Sequence, residues 1–578
     1  MRTLAATGLA LAMLAAAGTA HAADDHCTVG TILELPVTMI DRQPTVSVEL
    51  DGHKMRLILD SGAVFSSLSP SAAAAFGFKL RNAPFGLRLQ GIGGDVRPSL
   101  TTIDDFTLGG QTLHHVEFLV GGSESGTAGL LGQNVLGMGD VEYDLANGVV
   151  RLMKPEHCRG ANLAYWAHGK PVSIEDIGLT RYTDRHTWGD VELNGVRLNA
   201  MFDTGAATSI VSVRAAERAG VNRDDPGVID AGGAGGIGQS GIQTWIGPFD
   251  SLRIGDNETI KKIKLRFGDI DPRGRLDMLI GADFFLSHRV YVSNTLHKMF
   301  FTYNGGPVFD LSIHHGEGKA PELTSATAYS GRGMASLARH DYARARDDLT
   351  RAIALAPDEA RYYTERATIE LADKDEKAAA TDLDAALARA PGDVRALFAR
   401  ARLRLGQHDK AGARTDAEAV DNALAASSDQ RFALAGLYDA LGRIQPALAQ
   451  YSLWIDAHPH DSKLPLAFNN RCWLRATKGS DFAAALADCD HALHFNAHEA
   501  SFLDSRGLVY LRLSKLAKAL DDYNDALRAA PKQASSLYGR GVVQHRLGRT
   551  AEGDADIAKA KALDPDTVMA LQKDGIVP

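Results

Sequence analysis

The sequence predicts a multidomain chain in which two tandem all-β lobes precede an all-α repeat solenoid. Three observations carry this expectation. Glycine-punctuated short strands recur in the first half at a constant offset of 143 residues. After residue 322 the texture changes to Ala, Leu, Arg and Asp at helical spacing. Prolines there recur 34 residues apart, Pro357 with Pro391 and Pro531 with Pro565. A chain of 578 residues exceeds a single domain. The expected division is a signal peptide over 1–22, a first lobe over 28–158 and a second over 159–305. A linker over 306–322 and a helical array over 323–578 follow.

The duplication is read residue by residue. Val48-Glu49-Leu50-Asp51-Gly52 matches Val191-Glu192-Leu193-Asn194-Gly195. Eight residues after each glycine stand Asp60-Ser61-Gly62-Ala63 and Asp203-Thr204-Gly205-Ala206. The register continues through Ser66/Ser209, Ser69/Ser212, Ala72/Ala215 and Gly77/Gly220. Each block reads as strand, Asp-Gly or Asn-Gly hairpin turn, apolar strand, and a sharp turn carrying the aspartate. Later landmarks recur with small insertions, Leu130-Leu131-Gly132 answering Leu279-Ile280-Gly281.

The first 22 residues place Arg2 before an Ala/Leu run that ends in Ala20-His21-Ala22. This is the pattern of a secretory signal cleaved near Ala22/Ala23, and it predicts a periplasmic or secreted protein. No later run is apolar enough for a membrane span, so no integral membrane segment is expected after cleavage. Export makes Cys27 with Cys158, and Cys472 with Cys489, candidate disulfides, with free buried thiols the alternative. No CxxC or paired-histidine spacing accompanies them, so no metal is expected.

The paired Asp-Ser/Thr-Gly motifs, each with a downstream apolar-apolar-Gly element, resemble the retropepsin-like aspartic proteases over roughly residues 35–303. Leu130-Leu131-Gly132-Gln133-Asn134 and Leu279-Ile280-Gly281-Ala282-Asp283 look like that family's second motif. The resemblance implies Asp60 and Asp203 as a catalytic dyad, supported by Ser61, Gly62, Thr204 and Gly205. Two facing carboxylates share a proton, so one serves as base and the other as acid without metal or cofactor. Gly91, Gly93 and Gly94, with Gly236 and Gly238, occupy the place of flaps closing over a peptide or protein substrate. Trp245 reads as a core residue more readily than as a cleft cover. Pairing of each lobe with its twin in a homodimer is the alternative to pairing within the chain, which the short connection over 159–170 favours.

The 34-residue proline period is similar to that of tetratricopeptide repeats. The unit over 500–533 carries Gly507, Tyr510, Ala519, Tyr523, Ala526 and Pro531 at the expected places. About seven units are expected between 326 and 567, irregular in length over 394–499. Such arrays bind peptides or proteins on a concave surface, and packing on the chain's own β half is the competing reading.

Other chemistries lack local support. The net charge of −9, with 62 Lys+Arg against 71 Asp+Glu and no basic block, argues against nucleic acid as a partner. Gly233-Ala234-Gly235-Gly236-Ile237-Gly238 satisfies a dinucleotide fingerprint, but without a βαβ context. His114-His115 and His314-His315 are adjacent pairs, ill suited to chelation. HExxH, GxSxG and P-loop motifs do not occur. The expectation is an exported aspartic endopeptidase with a protein-binding helical array. A non-catalytic periplasmic interaction scaffold on the same folds is the alternative.

Overall fold

The computed structural model describes residues 27–84, 86–91, 94–122, 127–178, 186–234, 242–271, 274–305, 308–309, 322–459, 461, 463–479 and 481–578. The expected signal peptide and most of the expected linker lie outside these residues.

Each lobe starts from a hairpin. Gln43–Leu50 pairs antiparallel with His53–Leu59, and Thr187–Leu193 with Val196–Phe202. The turns are Asp51-Gly52 (φ 47° and 82°) and Asn194-Gly195 (φ 49° and 81°). Left-handed backbone at both central positions suits the right-handed strand twist, and Asp-Gly and Asn-Gly reach it cheaply. Val46, Val48 and Leu50 in one lobe, and Val191 and Leu193 in the other, alternate into the core. The second strand of each hairpin runs parallel to the downstream apolar segment. Ile58 and Leu59 pair with Leu130 and Leu131, and Met201 and Phe202 pair with Leu279 and Ile280.

One sheet joins the lobes. It has 13 strands, and its order begins Ser173–Asp176, Lys298–Tyr303, His288–Ser293, Asp140–Asp144, Val149–Glu156 and Thr28–Ile40 before continuing through Gln43–Leu50 into the first lobe. The junction is the antiparallel pairing of Val141, Glu142 and Tyr143 with Val292, Tyr291 and Val290. The two lobes therefore pair within one chain, and a single apolar core runs through both. Phe284 lies in it against Phe202, Phe285 and Phe301. A disulfide joins Cys27 to Cys158, holding the start of Thr28–Ile40 against the end of Val149–Glu156.

Among the described residues the C-terminal half forms seven helix pairs and a final helix, Pro565–Lys573. The pairs begin at 326, 360, 394, 430, 464, 500 and 534. Their spacing departs from 34 by only two residues, at two places within the stretch expected to be irregular. Ala356, Ala390 and Ala530 end second helices just before Pro357, Pro391 and Pro531. Proline disfavours helical backbone in the preceding residue and cannot extend the hydrogen-bond ladder. The Tyr523 ring fills space left by Gly507 and Gly539, where a Cβ would stand 3.1 Å and 2.3 Å from it. The second disulfide, Cys472–Cys489, crosses the two helices of the fifth pair.

An arginine on the first helix of nearly every pair grips an aspartate on the second. Arg332–Asp348, Arg366–Asp382, Arg400–Asp416, Arg506–Asp522 and Arg540–Asp556 are bidentate pairs 16 residues apart. Arg471–Asp488 is the same contact at 17. Several of these arginines also reach the preceding pair, Arg400 to Asp384 and Arg506 to Asp490. Guanidinium and carboxylate match as planar forks, so each contact sets orientation as well as distance.

The array packs on the β half. The backbone of Gly331 in its first helix lies so close to Gly148 (φ 69°) that a Cβ on Gly148 would come within 2.7 Å of it. Met334 and Ala335 of the same helix join the core of the lobes. Arg361, Glu365 and Arg395, on first helices of the next two pairs, surround Arg56 of the strand His53–Leu59 electrostatically. Burial and the two arginines lower the Arg56 pKa, and burial raises that of Glu365.

Candidate active site

The strands His53–Leu59 and Val196–Phe202 deliver Asp60 and Asp203 to one place. Each aspartate leaves its strand with its N–H donated to the neighbouring apolar segment, Asp60 to the Leu131 carbonyl (3.0 Å) and Asp203 to that of Ile280 (2.8 Å). The chain then turns sharply, and Oδ1 of each carboxylate accepts the N–H two residues on. Gly62 donates to Asp60 and Gly205 to Asp203, both at 2.8 Å.

The turns interlock across the lobe boundary. The Ser61 N–H donates to Thr204 Oγ1 (3.0 Å), and the Thr204 N–H to Ser61 Oγ (2.9 Å). Ser61 Oγ donates onward to the Phe202 carbonyl (3.0 Å), and Thr204 Oγ1 to that of Leu59 (2.7 Å). Both hydroxyl residues are buried. A Cβ on Gly62 would lie 2.4 Å from Asp203 Cγ, and one on Gly205 2.4 Å from Asp60 Cγ. Only glycine lets the loops come this close.

Electrostatics separate the two carboxyls. Asp60 is 9% exposed, whereas Asp203 is half-buried. Burial drives the Asp60 pKa well above the ordinary aspartate value, and the charge of Asp203 and a hydrogen bond to it drive it further. The backbone N–H groups of Gly62 and Ala63 oppose this more weakly. Two carboxyls in contact, one of them buried, disfavour a double negative charge, so the pair holds a proton more tightly than free aspartates do.

A second layer holds the loops. Ser66 donates through N–H and hydroxyl to Asn134 Oδ1, and Ser209 donates likewise to Asp283. Gly132 and Gly281 donate to those same serine oxygens. The repeat register Ser66/Ser209 and the motif residues Asn134 and Asp283 are visible in the sequence, but their hydrogen bonds to each other are not. Three further residues had no repeat signal. Tyr143, buried on the strand joining the lobes, places its hydroxyl by Ser61, and burial raises its pKa. Gln133 donates to the Ser61 carbonyl (2.9 Å) and Gln43 to that of Gly205 (2.6 Å).

Of the expected flap residues, Gly91 and Gly94 pair in the hairpin Leu89–Gly91 with Gly94–Val96. Gly93, Gly236 and Gly238 lie outside the described residues, as do His314 and His315. On either side of the second glycine-rich stretch, Ala234 pairs antiparallel with Ile242. Trp245 is half-buried, stacks on Phe267 and packs against the edge of the core. His114 and His115 are exposed and engage Asp105 and Asp104 respectively.

Comparison with family models matches an aspartyl protease model to residues 46–135 and again to 189–284. A tetratricopeptide repeat model matches 331–394 and 505–566. The chain carries an aspartyl protease domain in two segments, followed by tetratricopeptide repeats. Solved structures similar to it include a tetratricopeptide repeat protein from Parabacteroides merdae, 15% identical, with 43% of this chain and 98% of that chain covered and a TM-score of 0.34. Yeast Tom70 is 17% identical, with 43% of this chain and 52% of that chain covered and a TM-score of 0.27. YrrB, described as a tetratricopeptide protein with an unusual peptide-binding site, is 16% identical, with 39% and 97% covered and a TM-score of 0.24. Comparison with curated proteins found no match.

Proposed function

We propose that the chain is an exported aspartic endopeptidase, hydrolysing peptide bonds with a water activated between Asp60 and Asp203. The observation that carries this reading is the interlocked pair of Asp-Ser/Thr-Gly turns, which brings two carboxyls into contact and raises the pKa of one. In the scheme we propose, the pair shares one proton, with Asp60, the more buried carboxyl, as the acid and Asp203 as the base that takes a proton from water. The resulting hydroxide equivalent attacks the scissile carbonyl carbon while Asp60 protonates the carbonyl oxygen, giving a tetrahedral diol. Collapse of the diol breaks the C–N bond: the nitrogen leaves with the proton that Asp203 had taken, and one diol hydroxyl returns its proton to Asp60, leaving a carboxyl, an amine and the pair with its single shared proton. Apparent pKa values belong to the pair.

Tetratricopeptide repeats support a role in protein–protein contact. Part of the array is engaged with the strand that carries Asp60, so the surface left for substrate or a protein partner is assigned to the later helix pairs. Two disulfides suit an oxidising compartment, in line with periplasmic or extracellular residence. No helix among the described residues is long and apolar enough to cross a membrane. The deciding experiment is digestion of an unfolded protein at mildly acidic pH by the purified chain and its Asp60→Asn and Asp203→Asn variants. Both variants should lose cleavage. Wild-type cleavage by either one, or none by the parent, sinks the reading.

A further inference from the structure

Each loop carrying a facing aspartate is tied by a glutamine amide, and both glutamines belong to the first lobe. Gln133, 5% exposed, donates to the Ser61 carbonyl beside Asp60. In the repeat register its second-lobe counterpart is Ala282, which follows Gly281 as Gln133 follows Gly132. A methyl group cannot donate. Gln43 supplies the missing tie from across the lobe boundary, its Nε2 donating to the Gly205 carbonyl at 2.6 Å. Both peptide groups flanking the Gly205 Cα are then held, one by Asp203 Oδ1 and the other by Gln43. That Cα is the one packed against the Asp60 carboxyl.

Gln43 follows directly on a hairpin tip, Asp41-Arg42, with both residues left-handed (φ 47° and 65°). The Arg42 guanidinium donates to Nε2 of His340, which follows the first array helix, Ala326–Ala338. Nδ1 of His340 is held in turn by the Tyr342 hydroxyl (3.1 Å). One tip thus touches the array on one side and the Asp203 loop on the other.

We propose that Gln43 is a positioning residue for the Asp203 loop, and that the Arg42–His340 contact lets the helical array set its position. The inference rests on the peptidase reading above and adds to it a route from array to aspartate pair. Gln43→Met keeps the side-chain length and removes the donor. It should lower kcat about tenfold or more, since small misplacements of reacting groups are costly, with KM changed less than about twofold. The pH profile of kcat should shift, because the pair would share its proton in a looser geometry. His340→Ala should reproduce part of the effect, and the double variant should be no worse than Gln43→Met alone. A kcat within about twofold of the parent, a loss confined to KM, or additive single effects would overturn the proposal.

A second readout does not need turnover. In protein carrying ¹³C-carboxyl aspartate, with resonances assigned through the two Asn variants, Gln43→Met and His340→Ala should shift the titration of the Asp60/Asp203 pair. An unchanged titration in a folded variant overturns the proposal. Should Gln43→Met not fold, His340→Ala alone decides it. If the parent does not cleave, the peptidase reading falls and the titration still decides the positioning role.

Discussion

Ser61 and Thr204 exchange hydrogen bonds in a closed ring. Each hydroxyl accepts the other's N–H and donates to the last carbonyl of the strand leading to the other's aspartate. Neither lobe can close this ring alone, so docking of the lobes and placement of the carboxyls are one event. The ring also explains why serine and threonine serve equally, since each needs only one hydroxyl that accepts and donates.

Thr204→Val removes the hydroxyl and keeps the shape. It leaves the buried Ser61 N–H and Leu59 carbonyl without partners, at a cost of roughly 1–3 kcal/mol in stability. Thr204→Ser should stay within about 1 kcal/mol of the parent, because the hydroxyl remains. Denaturant unfolding of the two variants measures the difference, and equal stabilities would contradict the ring's role.

Gly205→Ala forces a methyl to within 2.4 Å of Asp60 Cγ. Overpacking of this kind costs roughly 1–3 kcal/mol, and here it also separates the carboxyls. Cleavage should fall far more than stability. Gly62→Ala, which meets Asp203 at the same distance, should behave alike. Steady-state kinetics beside thermal melts separate the two effects.

The raised pKa of Asp60 makes stability depend on pH. Its folded value exceeds its unfolded value, so the folded state binds the proton more tightly. The stabilisation is full below the unfolded pKa and is lost as pH rises through the folded pKa. Asp60→Asn, neutral at every pH, should gain stability relative to the parent as pH rises towards neutrality, and the gain should vanish in acid. Melting temperatures across pH check the sign, and a gain that grew on acidification would contradict it.

Arg332 and Asp348 are 5% and 4% exposed at their side chains. Removing one partner of such a pair leaves a buried charge and costs roughly 3–5 kcal/mol. Arg332→Ala should therefore destabilise the array strongly. Replacing both residues, by Met and Leu, should recover much of the loss. A double variant as unstable as the single one would show that the guanidinium matters beyond neutralising Asp348.

Cys472→Ala with Cys489→Ala opens a link of sequence separation 17. Loops of about that size are worth about 3 kcal/mol on the chain-entropy account. The variant's loss should equal that of the parent in reductant after correction for the loss on reducing Cys27–Cys158, measured in its own double variant.

Much of this was legible in the chain. The offset of 143 reappears as the separation of Ser61 from Thr204 in their hydrogen bond, because gene-level duplication preserves register wherever no loop intervenes. The helix pairs were legible from proline and small residues, since these mark where helices end and where they touch. Arg332, Arg366 and Arg400 also stand 34 apart, as do Arg506 and Arg540, so the ion-pair ladder left a trace of the same period. Gln43 left none. Its counterpart at the same offset is His186, so it falls outside the symmetry that made the other residues visible.

The sequence by itself determined the two lobes, the two aspartate turns and the helix pairs, because each is built from local turn chemistry and periodic burial that repeats along the chain. Only the tertiary structure decided what is asymmetric. It placed Tyr143 beneath Ser61, ran Gln43 of one lobe to the loop of the other, and set the first array helix against the hairpin tip beside it. It also made Asp60 the more buried of two aspartates whose local sequences are nearly the same. These contacts join residues far apart in the chain, and burial and proximity across a lobe boundary depend on how whole lobes pack, which no local pattern encodes.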